Sequence, residues 1–213
     1  MPTPSEILFA AIVKNDRANV SALLKKNKEL AVKAVATQPR FYPEITHWIY
    51  RGDTPLHFAA AGHRVEIGKM LLAAGADPNS SKNHRRSQPL HYAADGHLED
   101  PSWDPKRQVA MIRLLLKAGA DIHGRDKTGA TPLHRAVRTR CAAATRCLLE
   151  AGANPAAQNK PGSTAFHLAV QNTGRGGSGQ EKARLAQREI LEAFLEMGVK
   201  PTLTDGRGKT VLE

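Results

Sequence analysis

Apolar residues recur along this chain at helical spacing, in short runs that stop abruptly. Val65, Ile67, Met70, Leu71 and Leu72 form one such run, and Val109, Ile112, Leu115 and Leu116 form another. Spacing of this kind predicts a helix with one buried face. Gly75, Gly119, Gly152 and Gly198 close the runs at positions suited to a left-handed helix end. Ahead of each run stands a second, shorter helical segment. Thr54-Pro55 and Thr131-Pro132 open two of these with a capping residue and a proline at the first helical position. Paired short helices are the predicted unit.

The unit repeats. TPLHFAA (54–60), QPLHYAA (88–94), TPLHRAV (131–137) and TAFHLAV (164–170) open it, and LLAAGAD, LLKAGAD, LLEAGAN and FLEMGVK close it. Starts at Thr54, Gln88, Thr131 and Thr164 lie 34, 43 and 33 residues apart. Surpluses of 10 and 13 residues fall inside the second and fourth units, between their two conserved ends. Asp126-Lys127-Thr128-Gly129 and Asp205-Gly206-Arg207-Gly208 supply turns before the next start. A period of this length marks a stacked-repeat architecture.

The two helices, the turn and the T-P-L-H-x-A phrase together resemble the ankyrin repeat over residues 54–200. The resemblance implies an all-α solenoid with projecting turns. It divides the chain into repeats at 54–87, 88–130, 131–163 and 164–204, with a partial repeat at 205–213. Residues 5–30 read as a degenerate first repeat capped by Ser5, with Leu8, Ala11, Val20, Leu23 and Leu24 as its apolar stripe. All 213 residues are expected to form one array, in which the unit starting at 164 closes the stack. The family pattern gives Thr54, Thr131, Thr164, His57, His91, His134 and His167 a structural role, linking neighbouring repeats by hydrogen bonds. No metal or cofactor is expected, since these histidines form no ligand cluster. Gln88 in place of the capping threonine and Arg86 in place of a turn glycine predict a weaker second junction.

Residues 31–53 exceed the period and carry Phe41, Tyr42, Trp48 and Tyr50. Pro39 and Pro43 oppose a helix there, and Ile45–Tyr50 suits an extended hairpin finger. Phe41 and Trp48 are expected to cover the weak first repeat, whereas Tyr50 and Arg51 are expected to bind a partner.

Composition narrows the function. The formal net charge is +11, and residues 108–163 hold nine Lys or Arg against three acids. A local excess of one sign suits an acidic partner. Family members usually meet partners through the turn tips and the exposed side of the first helices. That maps partner contact onto Tyr50, Arg51, Asp53, His84, Arg85, Lys127, Lys160 and Arg207.

A second candidate is a loop cluster at 95–108, 138–141 and 171–184, with Trp103, Arg138, Arg140, Arg175, Gly176 and Gly177. Two arrangements suit it. Asp95, Glu99, Asp100 or Asp104 could pair with Arg138 and Arg140 as a clasp. Alternatively the arginines and glycine amides form a pocket for a small anion or nucleic acid. The GRGGSG run lacks the Lys-Ser/Thr ending of a P-loop.

Cys141 beside two arginines could have a lowered pKa, but no orienting base is assignable. The expected class is therefore a non-enzymatic protein-binding module, monomeric, with nucleic acid a less favoured partner. Two cysteines without a disulfide framework, no membrane-length apolar run and no signal-like N-terminus favour a soluble protein in the cytoplasm.

Overall fold

The computed structural model describes residues 1–171 and 180–213. Five helix pairs follow one another: α1 (Pro4–Val13) and α2 (Arg17–Lys26), α3 (Pro55–Ala61) and α4 (Val65–Ala73), α5 (Pro89–Ala94) and α6 (Pro105–Lys117), α7 (Pro132–Arg138) and α8 (Ala142–Glu150), then α9 (Ala165–Val170) and α10 (Glu181–Glu196). The first helix of each pair packs on the first helices of its neighbours, and the second helices do the same. Two layers result, with the core between them.

Leu56, Leu90, Leu133 and Phe166 occupy the same place in the four phrases, and all are buried. They meet Ile67, Leu71, Ile112, Leu115, Leu148, Ile190 and Phe194 from the second layer. Phe166 departs from the leucine pattern because it stacks on Phe194, with ring centroids 4.7 Å apart. Ala59, Ala60, Ala93, Ala94, Ala136 and Ala169 are buried in the first layer, where short side chains let the helices approach closely. Among the described residues no helix is long and apolar enough to cross a membrane.

The degenerate first repeat is present, but its cap differs from expectation. Thr3 caps α1, accepting from the Glu6 amide at 3.3 Å while its own amide donates to the Glu6 carboxylate at 2.6 Å. Ser5 lies inside the helix instead, because Pro4 takes the first helical position, where no N–H is needed.

A two-stranded hairpin precedes α3. Strand β1 (Arg40–Tyr42) pairs antiparallel with β2 (His47–Ile49), matching Arg40 with Ile49, Phe41 with Trp48 and Tyr42 with His47. Pro43 begins the 3-10 turn between them, and Thr46 closes it at φ 47°. The hairpin therefore starts five residues before Ile45. It is also no free finger, since Ile45 and Ile49 are buried against the stack.

Candidate functional site

Successive turn tips are tied by backbone hydrogen bonds. The His84 amide donates to the Arg51 carbonyl at 3.1 Å, and the Lys127 amide to Arg85 at 2.7 Å. The Lys160 amide donates to Thr128 at 2.9 Å, and Gly206 to Gly162 at 2.8 Å. An Asn or Asp braces each of four turns internally: the amides of Ser87, Ala130, Ser163 and Lys209 donate to Asn83, Asp126, Asn159 and Asp205. Gly52 adopts φ 92°, and a Cβ there would lie 2.6 Å from the Asn83 backbone. Arg86 takes a left-handed φ of 53° without being glycine, a local strain at the second junction.

This ladder brings Arg51, His84, Arg85, Lys127, Lys160 and Arg207 into one row, exposed except for the half-buried Arg85. Arg86, Arg125, Lys127 and Lys160 line an open cleft of about 300 Å³ between two tips. Tyr50 adjoins the row: the Arg85 guanidinium donates to its hydroxyl at 3.0 Å and lies 5.2 Å from its ring centre.

Asp53 does not belong to that surface. It is 0% exposed, and its carboxylate accepts from the Tyr50 amide at 2.6 Å and the Asn83 side chain at 2.7 Å. The Tyr92 hydroxyl lies 2.9 and 2.8 Å from its two oxygens. Burial and then the Asp53 charge push the Tyr92 phenol far up, so it remains a donor.

The histidines are junction pieces. Nε2 of His57, His91, His134 and His167 stands 3.0, 3.0, 3.1 and 3.0 Å from the carbonyls of Ser87, Ala130, Ser163 and Lys209. A carbonyl only accepts, so Nε2 carries the proton and Nδ1 is left as an acceptor. Thr54, Thr131 and Thr164 place their hydroxyls 2.9, 2.9 and 2.7 Å from that Nδ1. At the second junction Gln88 makes no such bond, and its Oε1 is buried without a partner. Neutral imidazoles suit both roles, and burial lowers His91 to about 4.

The loop cluster is rearranged. Arg140 is 3% exposed at φ 59°, and it donates to the carbonyls of Ala169 at 2.9 Å and Gln171 at 2.6 Å. Among the described residues it forms no ion pair, and its guanidinium closes backbone acceptors at the end of α9. Asp95 pairs instead with Arg135 at 3.3 Å, and Arg135 reaches Asp126 at 2.7 Å. The expected clasp on Asp95 is thus centred on Arg135, with Arg138 adding its charge to the same carboxylate. The cause is that Arg135, one turn earlier, points between the first helices, where Asp95 and Asp126 are buried. Arg138 lies exposed at the end of α7. Arg175, Gly176 and Gly177 lie outside the described residues.

Trp103 packs half-buried over Gly96, whose missing Cβ makes room for the indole. Cys141 also touches Gly96 and is fully buried; burial pushes its thiol up to about 12, opposite to an activated cysteine. Desolvation outweighs the hydrogen bonds from Thr139 and Gln108 that would lower it.

The hairpin meets this insertion. His47 Nε2 lies 3.2 Å from Asp95, its ring packs 4.6 Å from Tyr92, and the Thr46 hydroxyl donates to Asp100. Burial alone would raise the Asp95 carboxyl, but Arg135 and His47 outweigh it and hold it well below the usual range. Asp95 lines a cavity of about 10 Å³ with Trp48, Tyr50 and Tyr92, room for a single water. Tyr42 packs 5.4 Å from Phe58 on α3. The hairpin thus lies over the open side of α3 and α5, a contact that single-residue patterns could not reveal.

Two family descriptions match the chain: "Ankyrin repeats (3 copies)" over residues 106–205 and "Ankyrin repeat" over residues 51–83. The chain belongs to the ankyrin-repeat family. It is 32% identical over 115 residues to NF-kappa-B inhibitor delta of Mus musculus, covering 53% of this chain and 32% of that protein. It is 29% identical over 131 residues to Inversin of Gallus gallus, covering 62% of this chain and 10% of that protein. The chain thus spans a third or less of either relative.

Proposed function

We propose that this ankyrin-repeat chain is a non-enzymatic binding module that presents its row of turn tips to an acidic surface of a protein partner. One observation carries the reading. Ladder-tied tips hold Arg51, Lys127, Lys160 and Arg207 outward, while the turn acids Asp53 and Asp126 are buried. The row is therefore positive and held rigid. Rigidity lowers the entropy lost on binding, and the field speeds encounter. The Mus musculus relative is named as an inhibitor of NF-kappa-B, which is consistent with a protein as ligand. The same reading has the chain acting as a monomer in the cytoplasm, its two cysteines free and buried.

A glutamate-rich peptide, followed by fluorescence anisotropy across a salt series, tests the reading. Affinity should fall as salt rises, and changing Arg51, Arg85 and Lys127 together to alanine should weaken binding about tenfold or more and flatten the salt slope. Unchanged binding would remove the row from consideration.

A further inference from the structure

The hairpin has two faces of different use. Tyr42, His47 and Ile49 alternate inward, onto Phe58, Tyr92 and the core. Phe41 and Trp48 are cross-strand partners on the opposite face, 40% and 45% exposed, with ring centroids 5.8 Å apart. A sheet with one docked face is expected to be polar on the other. Here the outward positions carry the two large aromatics instead, which overturns the expectation that they cover the first repeat. Tyr42, Ile45 and Ile49 already do that work. Phe41 and Trp48 add nothing to the core, yet they stiffen each other as a pair.

One cation borders the pair: Arg85 lines the small cavity that Trp48 borders, whereas Arg40 pairs with Ile49 on the inward face and lies 5.2 Å from the Tyr42 ring centre. Among the described residues neither Arg40, Arg51 nor Arg85 has a carboxylate within ion-pair distance. Guanidinium groups resting on tyrosine rings keep their planar donor fork open to a carboxylate. A rigid apolar shelf bordered by the unneutralised Arg85 matches a ligand with one large apolar side chain beside an acid. Trp and Arg are also the residues that most often dominate binding energy.

We propose that the outward face of the hairpin, built on Phe41 and Trp48 and bordered by Arg85, anchors an acidic segment of a protein partner through a large apolar side chain. The proposal rests on the acidic-partner reading above and adds the anchor that the turn row lacks.

Trp48 reports on its own site once Trp103 is changed to phenylalanine, a change that leaves no hydrogen bond unmade because Trp103 Nε1 has no partner. In that background a short glutamate-rich peptide with a central leucine pair is compared with its serine counterpart. The leucine peptide should shift Trp48 emission to the blue and bind about tenfold more tightly than the serine one. Phe41→Ser should abolish that preference and leave serine-peptide binding unchanged, with thermal melts confirming an intact fold. Equal binding of the two peptides, or Trp48 emission unmoved at saturation, would overturn the proposal. So would a blue shift with phosphatidylserine vesicles but not with the peptides, which would assign the face to a lipid surface. Failure of the turn row shows separately, as serine-peptide binding indifferent to salt and to Lys127→Ala with Lys160→Ala. No binding by either peptide counts against both readings.

Discussion

His47 on the hairpin and Asp95 at the end of α5 meet at 3.2 Å, joining two segments that each interrupt the repeat period. Asp95 is also one of the two carboxylates holding buried Arg135. Asp95→Ala removes a partner from both Arg135 and His47 and should cost on the order of 3–5 kcal/mol. His47→Ala removes only the hairpin's share and should cost about 1 kcal/mol. Urea unfolding of both variants and of the double variant measures the coupling; additive losses would show that the hairpin and α5 are independent.

Acid should loosen the fold well above the carboxylate range. Burial lowers His91 to about 4, does the same to His63, whose Nε2 stands 3.1 Å from the Ala93 carbonyl, and also lowers His57 and His134. In the unfolded chain a histidine titrates near ~6.5. Above that value both states are neutral and the stability is fully present. As pH falls toward the folded value, only the unfolded chain gains the proton, so stability is lost progressively and then levels off. His63 and His91 each account for a loss on the order of 3 kcal/mol. Urea midpoints should therefore drop between about pH 7 and pH 5, and a flat profile would contradict the neutral junctions.

Tyr92→Phe tests the buried carboxylate of Asp53. The variant keeps the ring on His47 and His57 but leaves Asp53 without its phenol donor. A loss of about 1–3 kcal/mol follows for a buried acceptor left short of a partner. Thermal melts compared with Tyr50→Phe, whose hydroxyl meets only Arg85, give the contrast.

Gly96→Ala should undock the second insertion. Its Cβ would fall against Cys141 Sγ and 2.8 Å from Trp103 Nε1, so the indole must move. Faster proteolysis within 97–104 and a red shift in Trp103 emission are the expected signs. Unchanged cleavage and emission would mean that the loop does not depend on this contact.

Both thiols should resist a thiol reagent until the protein unfolds. Cys141 is fully buried at about 12, and burial also raises Cys147. Rapid native labelling would indicate local opening of α8.

How far the sequence reaches differs by feature. Helix pairs, junction histidines and turn tips were legible because each depends on contacts at a fixed offset, which the repeat copies in every unit. Arg51, Lys127 and Lys160 emerge on one row for that reason. The second junction was legible too, since Gln88 lacks the hydroxyl that its three counterparts use. Asp53, Arg140, Phe41 and Trp48 were misplaced. Asp53 and Arg140 stand at positions that Ser87 and His63 also fill as buried residues, but a charged side chain reads as surface in a linear pattern, and Phe41 and Trp48 lie in a segment with no counterpart in another unit.

The sequence alone therefore determined a stacked array with basic turn tips, because periodic burial and periodic hydrogen bonds leave a periodic record. Only the tertiary structure decided that the hairpin lies across α3 and α5, that Arg135 bridges Asp95 and Asp126, and that the Phe41–Trp48 pair faces outward. Those outcomes rest on long-range packing between unique segments, where burial and charge pairing compete and local pattern has no vote.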